Sequence, residues 1–582
     1  MWVQAEEEVD DEDEDNVEES IGRNVVCLDK LIRRHLERSE CDVIIPPWVR
    51  AWLAEVATPP VSTTPLVSSV PFHLRPLAGA RDALTLLAGC GNILTLPFAE
   101  HAQELLRAVD TSPLVCVKGE TGCGKTVGTA LLLLKSYPTA RIYMTQPRRI
   151  AARNCCKYVK ELLGGDSKNV VSYAIGNDHS ANFSAQTRLI FCTTGWLFLY
   201  LAHNPRNQKD ADIIVLDEAH IRTVPLDFLA FLVKSCMKQR EMNARKVVVM
   251  SATLEAEAFQ EYFQELLPPR FKTPTIALGV RRFPVTFRYL NDILPKFSRS
   301  AEMKALQKHS QLLSKEKDPS RLIRETWKHF VNVLPMLIES DIAPIDAATL
   351  IFVPGMSELE ELWSVLLAKE PRKEKCSIVG MHSLFDQSAL DEVFEPIEPG
   401  SKRIILATNI AESSVTLPEV ACVIDLGLEK RMLYDYRRDA TVLSLCFASR
   451  DAKMQRAGRT GRTRAGTVLR LCLKEQEDLL PLTAPPEMEH SPPSMILLEA
   501  IAHCATWGSG IEVATSLPSP LSEEVCERAM RQLRDRHAVI AVGEKWQLSS
   551  LGEIGAHLPI PLDDAILLLV ASQLNLLWEG LI

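Results

Sequence analysis

The stretch "VCVKGETGCGKT", from Val115 to Thr126, narrows the choice of fold more than any other part of the chain. It begins as an apolar run typical of a buried strand, turns through glycines, and is followed by the helical pattern "VGTALLLLKSY". The GxxxxGK(S/T) pattern is satisfied by Gly119, Gly124, Lys125 and Thr126. Glycines let backbone N–H groups wrap a polyphosphate, lysine adds a charge on the β- and γ-phosphates, and the hydroxyl suits Mg²⁺. The stretch predicts a phosphate-binding loop rather than a glycine-rich turn without a nucleotide.

A second stretch, "IVLDEAHIRT" from Ile214 to Thr223, sets a short apolar strand against two adjacent carboxylates. Taken alone, Asp217 is more simply explained as the cap of a helix start. The alternative is a metal site, in which Asp217 holds Mg²⁺ and Glu218 polarises an attacking water. Because a phosphate loop lies upstream, the metal site becomes the favoured interpretation.

Short apolar runs alternate with helical patterns from residue 90 onward. The first series is PLVCVK, RIYMT, RLIFC, IIVL and KVVVM, and a second series after residue 345 is TLIFV, RIILAT, ACVIDL and GTVLRL. Strands that are apolar throughout are typical of parallel sheets covered by helices on both faces. We therefore expect an α/β protein with two tandem doubly wound domains. Between them, residues 296–340 are helical and basic, and a solvated connector is favoured over an RNA-binding insert.

The charge balance is compatible with a nucleic-acid ligand. The formal net charge is -10, but residues 1–20 hold eleven acidic and no basic residues, so the remainder carries -10 - (-11) = +1. The acidic excess thus belongs to one tail, which we expect to be solvated. The fifteen cysteines form no CxxC pair, which favours reduced core thiols over a zinc site. No apolar run suits a membrane span and no secretory leader is visible, so an intracellular location, nuclear or cytoplasmic, is expected.

Further motifs accompany these two stretches in a regular order. Asp217 to His220 spell DEAH, and the other motifs are "TQPRRIAA" (145–152), "TTGW" (193–196), "SAT" (251–253), "LIFVPG" (350–355), "ATNIAESSVT" (407–416) and "QRAGRTGR" (455–462). Together with the phosphate loop they resemble the motifs of the DEAH-box ATP-dependent RNA helicases, a branch of helicase superfamily 2. The resemblance extends over residues 92–580, through "VRRFPV", "LPSPLSEE" and "LSSLGEIGAHLPIPLDD".

The resemblance implies four regions. Residues 1–91 would form an acidic tail and an N-terminal extension with a Pro/Ser/Thr-rich linker, 92–278 a first RecA-like domain, 279–484 a second, and 485–582 a winged helix and the start of a helical ratchet domain. ATP is expected between the RecA-like domains, with RNA across their tops. Because relatives continue through a full ratchet domain and an OB-fold, the chain is expected to be a C-terminally shortened enzyme, a fragment or an incomplete gene model.

The resemblance also implies roles around ATP. The expected nucleotide-binding residues are Gly119, Glu120, Thr121, Gly122, Cys123, Gly124, Lys125 and Thr126. The expected catalytic residues are Asp217, Glu218, His220, Gln455, Arg459 and Arg462. Mg²⁺ is expected on Thr126 and Asp217. Gln455 would orient the water, and the two arginines would meet the charge that develops on the γ-phosphate. The alternative for the arginine-rich run is a basic patch that binds phosphates nonspecifically.

RNA is the expected polymer ligand, held through its backbone. The residues that the resemblance places on RNA are Arg148, Arg149, Thr194, Gly195, Thr408 and Asn409. Short polar side chains, backbone amides and arginines hold phosphates without reading bases, so sequence-independent tracking is expected. Ser251 and Thr253, with His220, resemble the relay that couples the nucleotide site to RNA. RNP or activator proteins are further implied partners, and a monomer without membrane contact is expected.

Three positions depart from the family pattern. Ile221 stands where a glutamate usually precedes the arginine, and Gly176 stands where an arginine is common. Cys123 fills a loop position where serine is frequent. For this cysteine, a small tolerated side chain is favoured over a thiol whose alkylation blocks nucleotide entry.

The expected activity is ATP hydrolysis coupled to 3′-to-5′ translocation on RNA, with unwinding or RNP remodelling as its result. One alternative is an RNA-binding scaffold whose departures leave little catalysis. The other is a superfamily 2 translocase that moves on DNA.

Overall fold

The computed structural model describes residues 82–573, apart from 120–121, 165–168, 177–183, 185, 204–210, 239–245, 253–254, 266–272, 279–282, 317–318, 369–375, 383–384, 386–391, 413–416, 418, 544 and 558–559. The tail and linker predicted within residues 1–81 therefore lie outside the described residues. One compact unit ends at His490, and a second contains the described residues from Ser491 onward.

The first sheet has seven parallel strands in the order β3-β4-β2-β5-β6-β1-β7. Its strands are β1 (Leu114–Gly119), β2 (Ile142–Gln146), β3 (Val171–Ala174), β4 (Leu189–Thr193), β5 (Ile213–Leu216), β6 (Lys246–Ser251) and β7 (Thr275–Leu278). Its helices are α1 (Ala83–Leu87), α2 (Phe98–Thr111), α3 (Lys125–Ser136), α4 (Arg149–Leu163), α5 (Thr194–His203), α6 (Val224–Lys238) and α7 (Glu255–Gln264). Ala83 and Leu87 of α1 pack in the same core as Val115 and Val117 of β1, so the predicted limit at residue 92 divides this core.

The second sheet has six parallel strands in the order β10-β11-β9-β12-β15-β8. Its strands are β8 (Val285–Tyr289), β9 (Ala347–Phe352), β10 (Cys376–Met381), β11 (Lys402–Ala407), β12 (Val420–Asp425) and β15 (Gly466–Arg470), and an antiparallel hairpin joins β13 (Leu428–Asp435) to β14 (Ala440–Phe447). Its helices are α8 (Leu290–Ile293), α9 (Ala301–Leu313), α10 (Ile323–Glu339), α11 (Met356–Ala368), α12 (Arg450–Ala457) and α13 (Lys474–Glu477). The prediction of two parallel-sheet α/β domains is confirmed.

The basic segment 296–340 is helical, as predicted, but the interpretation as a solvated connector is wrong. Met303 and Leu306 of α9 and Trp327 and Phe330 of α10 are buried in the core of the second sheet. Burial of such side chains stabilises a fold by roughly 1.5–3 kcal/mol each, while charged residues on the other face, such as Lys304 and Lys308, stay exposed. The segment is therefore part of the second domain.

The unit after His490 begins with three helices, α14 (Pro493–Cys504), α15 (Gly510–Thr515) and α16 (Glu523–Asp535). An antiparallel hairpin follows, with β16 (Val539–Val542) paired to β17 (Lys545–Leu548), and Gly543 between them has a left-handed φ of 63°. Helices α17 (Ser550–His557) and α18 (Leu562–Gln573) complete the unit. The winged-helix and ratchet assignments stay predictions.

Among the described residues, no single helix has the length and apolar character needed to cross a bilayer. Residues Ser550–His557 and Leu562–Ala571 reach that length and composition only as a pair bent by 115°.

Candidate active site

The phosphate loop runs from the end of β1 to the start of α3. Gly122 and Gly124 have φ of 87° and 88°, the left-handed region that side chains other than glycine rarely adopt. A β-carbon on Gly124 would also lie 2.7 Å from Cδ1 of Leu96. The loop ends at the N-terminus of a helix, where backbone N–H groups favour an anion. The predicted positions Glu120 and Thr121 lie outside the described residues.

Lys125 is a buried cation of this site, only 4% exposed. Its Nζ donates to the carbonyl oxygen of Gly119 at 3.3 Å and lies 3.3 Å from Oε1 of Glu218. Burial alone would lower the pKa of Lys125, but the carboxylates of Glu218 and Asp217 raise it above its ordinary value. The lysine is therefore charged and is held by the glutamate of the DEAH segment.

Asp217 follows β5 and meets the phosphate loop directly. Its Oδ2 accepts hydrogen bonds from Oγ1 of Thr126 at 2.6 Å and from Nε2 of Gln146 at 2.8 Å. Burial and the nearby Glu218 raise the pKa of Asp217 to about 6. A hydroxyl and a carboxylate in contact beside a phosphate loop fit Mg²⁺, which proteins hold through one or two carboxylates together with substrate phosphates.

Glu218 has a left-handed φ of 53°, which is uncommon for a residue other than glycine. Its Oε2 is buried and has no hydrogen-bond partner among the described residues, although Nδ1 of His220 lies 3.4 Å away. Burial opposes ionisation of Glu218, but Lys125 and His220 lower its pKa below the ordinary value. Glu218 is thus an ionised carboxylate with one oxygen left for a water or a metal-bound group.

His220 links Glu218 to the end of β6. The backbone N–H of Ala252 points at Nδ1 of His220 from 3.3 Å, and Ser251 beside it is fully buried. The predicted coupling residue Thr253 lies outside the described residues. A shift of the segment at Ser251 would therefore reach Glu218 through one side chain.

The second domain brings two arginines to this site. A β-carbon on Gly122 would lie 3.6 Å from Nε of Arg462, so the arginine packs against the phosphate loop. Nε of Arg462 also donates to the carbonyl oxygen of Gly458 at 2.9 Å. Burial lowers the pKa of Arg462 to about 10, and burial together with Arg462 lowers that of Arg459 to about 9. Both guanidinium groups stay charged near neutral pH, one of them in contact with the loop.

The helix before these arginines is braced by a residue that the sequence did not single out. Arg456 of α12 is buried, and its guanidinium pairs with Glu412 at 2.7 Å, with Asp425 at 3.1 Å and with Glu429 at 3.3 Å. Gln455 is half-buried beside it on α12. The position of Arg456 in the arginine-rich run could have marked it as a candidate, but its three carboxylate partners are distant in sequence. Sequence reasoning also missed Gln146, the last residue of β2, because its contact with Asp217 joins segments that are distant in sequence.

The residues predicted for RNA follow the carboxyl ends of β2, β4 and β11. Nη2 of Arg148 donates to the backbone oxygen of Asn409 at 3.2 Å, so these two residues join the first domain to the second. Arg149 and Asn409 are exposed, whereas Thr194 and Thr408 are buried. The structure brings Arg148 and Asn409 together and leaves two predicted threonines covered.

Arg222, two residues after His220, has a structural role. Nε and Nη2 of Arg222 lie 3.3 Å from the two carboxylate oxygens of the buried Asp227, and its guanidinium lies 4.9 Å from the ring centre of Phe259. The backbone N–H of Glu487 donates to the carbonyl oxygen of Arg222 at 2.9 Å, and Oε2 of Glu487 accepts from the N–H of Val224 at 2.9 Å. Arg222 thus fixes the turn, while Ile221 before it is half-buried.

The other two departures are accommodated without strain. Cys123 is buried in the core of the first sheet, and burial raises the pKa of its thiol, which disfavours alkylation. This supports the interpretation of Cys123 as a small tolerated side chain. A β-carbon on Gly176 would meet no described atom within 4 Å.

Comparison with known proteins bears on this geometry. Residues 100–261 match the family model described as DEAD/DEAH box helicase, and residues 332–464 match that described as helicase conserved C-terminal domain. A protein named "Probable ATP-dependent RNA helicase spindle-E" from Drosophila pseudoobscura pseudoobscura is 30% identical over 517 residues, which are 84% of this chain and 34% of that protein. The Drosophila melanogaster protein of the same name is 32% identical over 508 residues, 82% of this chain and 34% of that one.

Among solved structures, the crystal structure of the Escherichia coli DEAH/RHA helicase HrpB matches with a TM-score of 0.62 and 26% identity, over 83% of this chain and 55% of that one. The chain spans about a third of the length of the curated relatives it matches.

Proposed function

Because this chain belongs to helicase superfamily 2, we propose that it is an ATP-dependent RNA helicase. The observation that carries the proposal is the cluster of Lys125, Thr126, Asp217 and Glu218, with Arg462 of the second domain against Gly122. A cation, a metal-ligand pair, a base and an arginine from a second domain are the parts that phosphoryl transfer requires.

The chemistry starts from the pair between Lys125 and Glu218. When the β- and γ-phosphates of ATP enter the loop, they attract the ammonium of Lys125 and weaken its contact with Glu218. The released carboxylate then accepts the proton of the attacking water. Thr126 and Asp217 would hold Mg²⁺, which supplies charge neutralisation on the phosphates when bound. Arg459 and Arg462 stabilise the charge of the transition state, and Gln455 orients the water.

RNA would couple to this chemistry through the contact between Arg148 and Asn409. Because the two residues belong to different domains, a backbone phosphate held by both favours closure of the cleft in which Arg462 meets the loop. Arg149 and Gly195 would extend the contact along the backbone, whereas the covered Thr194 and Thr408 would contact RNA only after a rearrangement that exposes them. His220, with Ser251 and Thr253, would transmit closure to Glu218.

Hydrolysis resets closure and drives 3′-to-5′ translocation, with unwinding or RNP remodelling as the outcome. The protein acts as a monomer, and RNP or activator proteins direct it to its substrate. Family likeness and the backbone-directed residue types support these statements.

ATP hydrolysis in the presence of single-stranded RNA or single-stranded DNA tests the polymer. Stimulation by RNA, and unwinding of an RNA duplex with a 3′ tail in preference to a 5′ tail, is expected. Hydrolysis that stays at background with RNA would favour a binding scaffold, and stimulation by DNA alone would favour a DNA translocase.

A further inference from the structure

An apolar cavity lies in the second domain, at the edge of the sheet where β12 and β15 end. It encloses about 630 Å³, its open mouth included, and α9 and α10 contribute to its wall. Most of the wall is apolar, with Phe330, Leu426, Phe447 and Leu471 among its side chains. Ligands in open α/β sheets bind outside the carboxyl ends of the strands, which is where this cavity lies.

One charged side chain lines this cavity. Lys453 of α12 is only 1% exposed, and its Nζ donates to Sγ of Cys472 at 3.4 Å. Within the part of the chain that the structure describes, this thiol is the one hydrogen-bond acceptor of the ammonium. A thiol is a weak acceptor, and an ammonium has three donors. The charge of Lys453 is partly compensated by the buried carboxylate of Asp425, whose pKa it helps to lower, but two of its three donors remain for a further acceptor.

The other polar groups of the wall already have partners. Nε2 of Gln476 donates to the carbonyl oxygen of Ser310 at 2.8 Å. Oγ1 of Thr326 donates to the carbonyl oxygen of Leu322 at 3.0 Å and lies 2.8 Å from Nε2 of His309. Outside the wall, Asp425 has its Oδ1 in an ion pair with Arg456 at 3.1 Å, while its Oδ2 is buried without a hydrogen-bond partner among the described residues. Lys453 is therefore the polar group that a ligand in this cavity would meet.

We propose that this cavity binds a small organic anion, a monocarboxylate with an apolar body whose head pairs with Lys453. The apolar walls match the body of such a ligand, and the single ammonium matches its single charge. A phosphate is a poorer match because it carries more charge and is usually held by arginines or several backbone N–H groups. The site is separate from the phosphate loop, and its existence does not depend on ATP hydrolysis.

The ligand would act on the helix that leads to the arginines of the active site. Lys453 stands on α12, one turn before Arg456 and in the same run as Arg459. An anion paired with Lys453 would fasten α12 to the chain that follows β12 and β15, because Leu426 and Leu471 line the same cavity.

Titration calorimetry on the full chain tests the site with octanoate as the probe and octanol as its uncharged match. The wild type is expected to bind octanoate. Its affinity for octanol, and the affinity of Lys453→Met for octanoate, are both expected to be about tenfold or more weaker, since a hydrogen bond to a charged group is lost. Lys474→Met, which removes an exposed lysine on α13, should leave the affinity unchanged. Equal binding of octanoate and octanol, or unchanged affinity in Lys453→Met, would overturn the proposal.

A second measurement uses the unmodified chain and so does not depend on the folding of a variant. N-ethylmaleimide labelling is followed by peptide mass spectrometry at Cys472, which lines the cavity, and at Cys376, a half-buried thiol of β10 outside it. Octanoate is expected to slow labelling of Cys472 and to leave Cys376 unaffected. Labelling of Cys472 at the same rate with and without saturating octanoate would contradict the proposal.

Discussion

Arg462 packs against Gly122, so that a β-carbon on the glycine would lie 3.6 Å from Nε of the arginine. The two residues belong to different α/β domains, and the glycine has a φ of 87°, which few other residues adopt. The phosphate loop therefore has a wall that its own domain does not supply. Under the proposed function, this relationship would make hydrolysis dependent on the meeting of the two domains.

Replacement of Arg462 by alanine should lower kcat for ATP about a thousandfold, because an arginine that stabilises the transition state has an effect of that order. KM should change little, since the loop and Asp217 remain. Arg464→Ala is the matched control, because this exposed arginine donates to the backbone oxygen of Asp346 within its own domain. A loss in Arg464→Ala equal to that in Arg462→Ala would remove the specific role of Arg462.

The affinity for MgATP should fall with acidification. Asp217 has a pKa of about 6 because burial and Glu218 disfavour its charge, so below that pH it carries a proton where the metal needs a carboxylate. We expect KM for MgATP to rise as the pH falls through this value. A KM that is independent of pH down to about pH 5 would show that another group holds the metal.

Protonation of Asp217, which should weaken MgATP binding, should instead stabilise the nucleotide-free fold. Its pKa of about 6 in the folded state exceeds the ordinary value near 3.9, so the nucleotide-free fold takes up a proton between these values. The charged form therefore destabilises the fold above pH 6, and this penalty is relieved as the pH falls toward about 4. The difference in Tm between wild type and Asp217→Asn should shift in favour of the wild type on acidification. A constant difference would contradict the raised pKa.

Glu487 should slow amide hydrogen exchange at Val224, the first residue of α6. Its carboxylate accepts from the N–H of Val224, so Glu487→Ala leaves that amide without its acceptor. Loss of an exposed hydrogen bond of about 1 kcal/mol should speed hydrogen exchange at Val224 about fivefold. Glu489→Ala, an exposed glutamate in the same short 3₁₀ helix, is the control. Unchanged exchange at Val224 in Glu487→Ala would show that this contact is not maintained in solution.

The sequence predicted the interior strands of both sheets and missed the edges. All nine predicted strands are interior, whereas the edge strands β3, β7, β8 and β10 were not predicted. Interior parallel strands are covered on both faces and so are apolar throughout, as Ile213–Leu216 is. An edge strand such as Val285–Tyr289 alternates half-buried and exposed residues, which weakens the pattern of a buried strand.

The site likewise contains residues that could be predicted from the sequence and contacts that could not. Lys125, Thr126 and Asp217 were predictable because each residue type is required by the chemistry of a phosphate loop and its metal. The contacts of Arg456 with Glu412 and of Glu487 with Arg222 were not, since they depend on how distant segments meet. The wrong interpretation of residues 296–340 as a solvated connector could have been avoided from the sequence. The buried Met303 and Leu306 of α9 are three residues apart and so lie on one helical face.

Steady-state ATP turnover with single-stranded RNA, measured for the wild type and for Glu218→Gln, tests the central claim most directly. The amide keeps the shape of the side chain but cannot take the proton of water, so turnover should fall about a hundredfold to ten-thousandfold. Binding of ATP, measured in parallel, should persist because Lys125 and Asp217 are retained. Wild-type turnover no higher than that of Glu218→Gln, with ATP bound by both, would contradict the account.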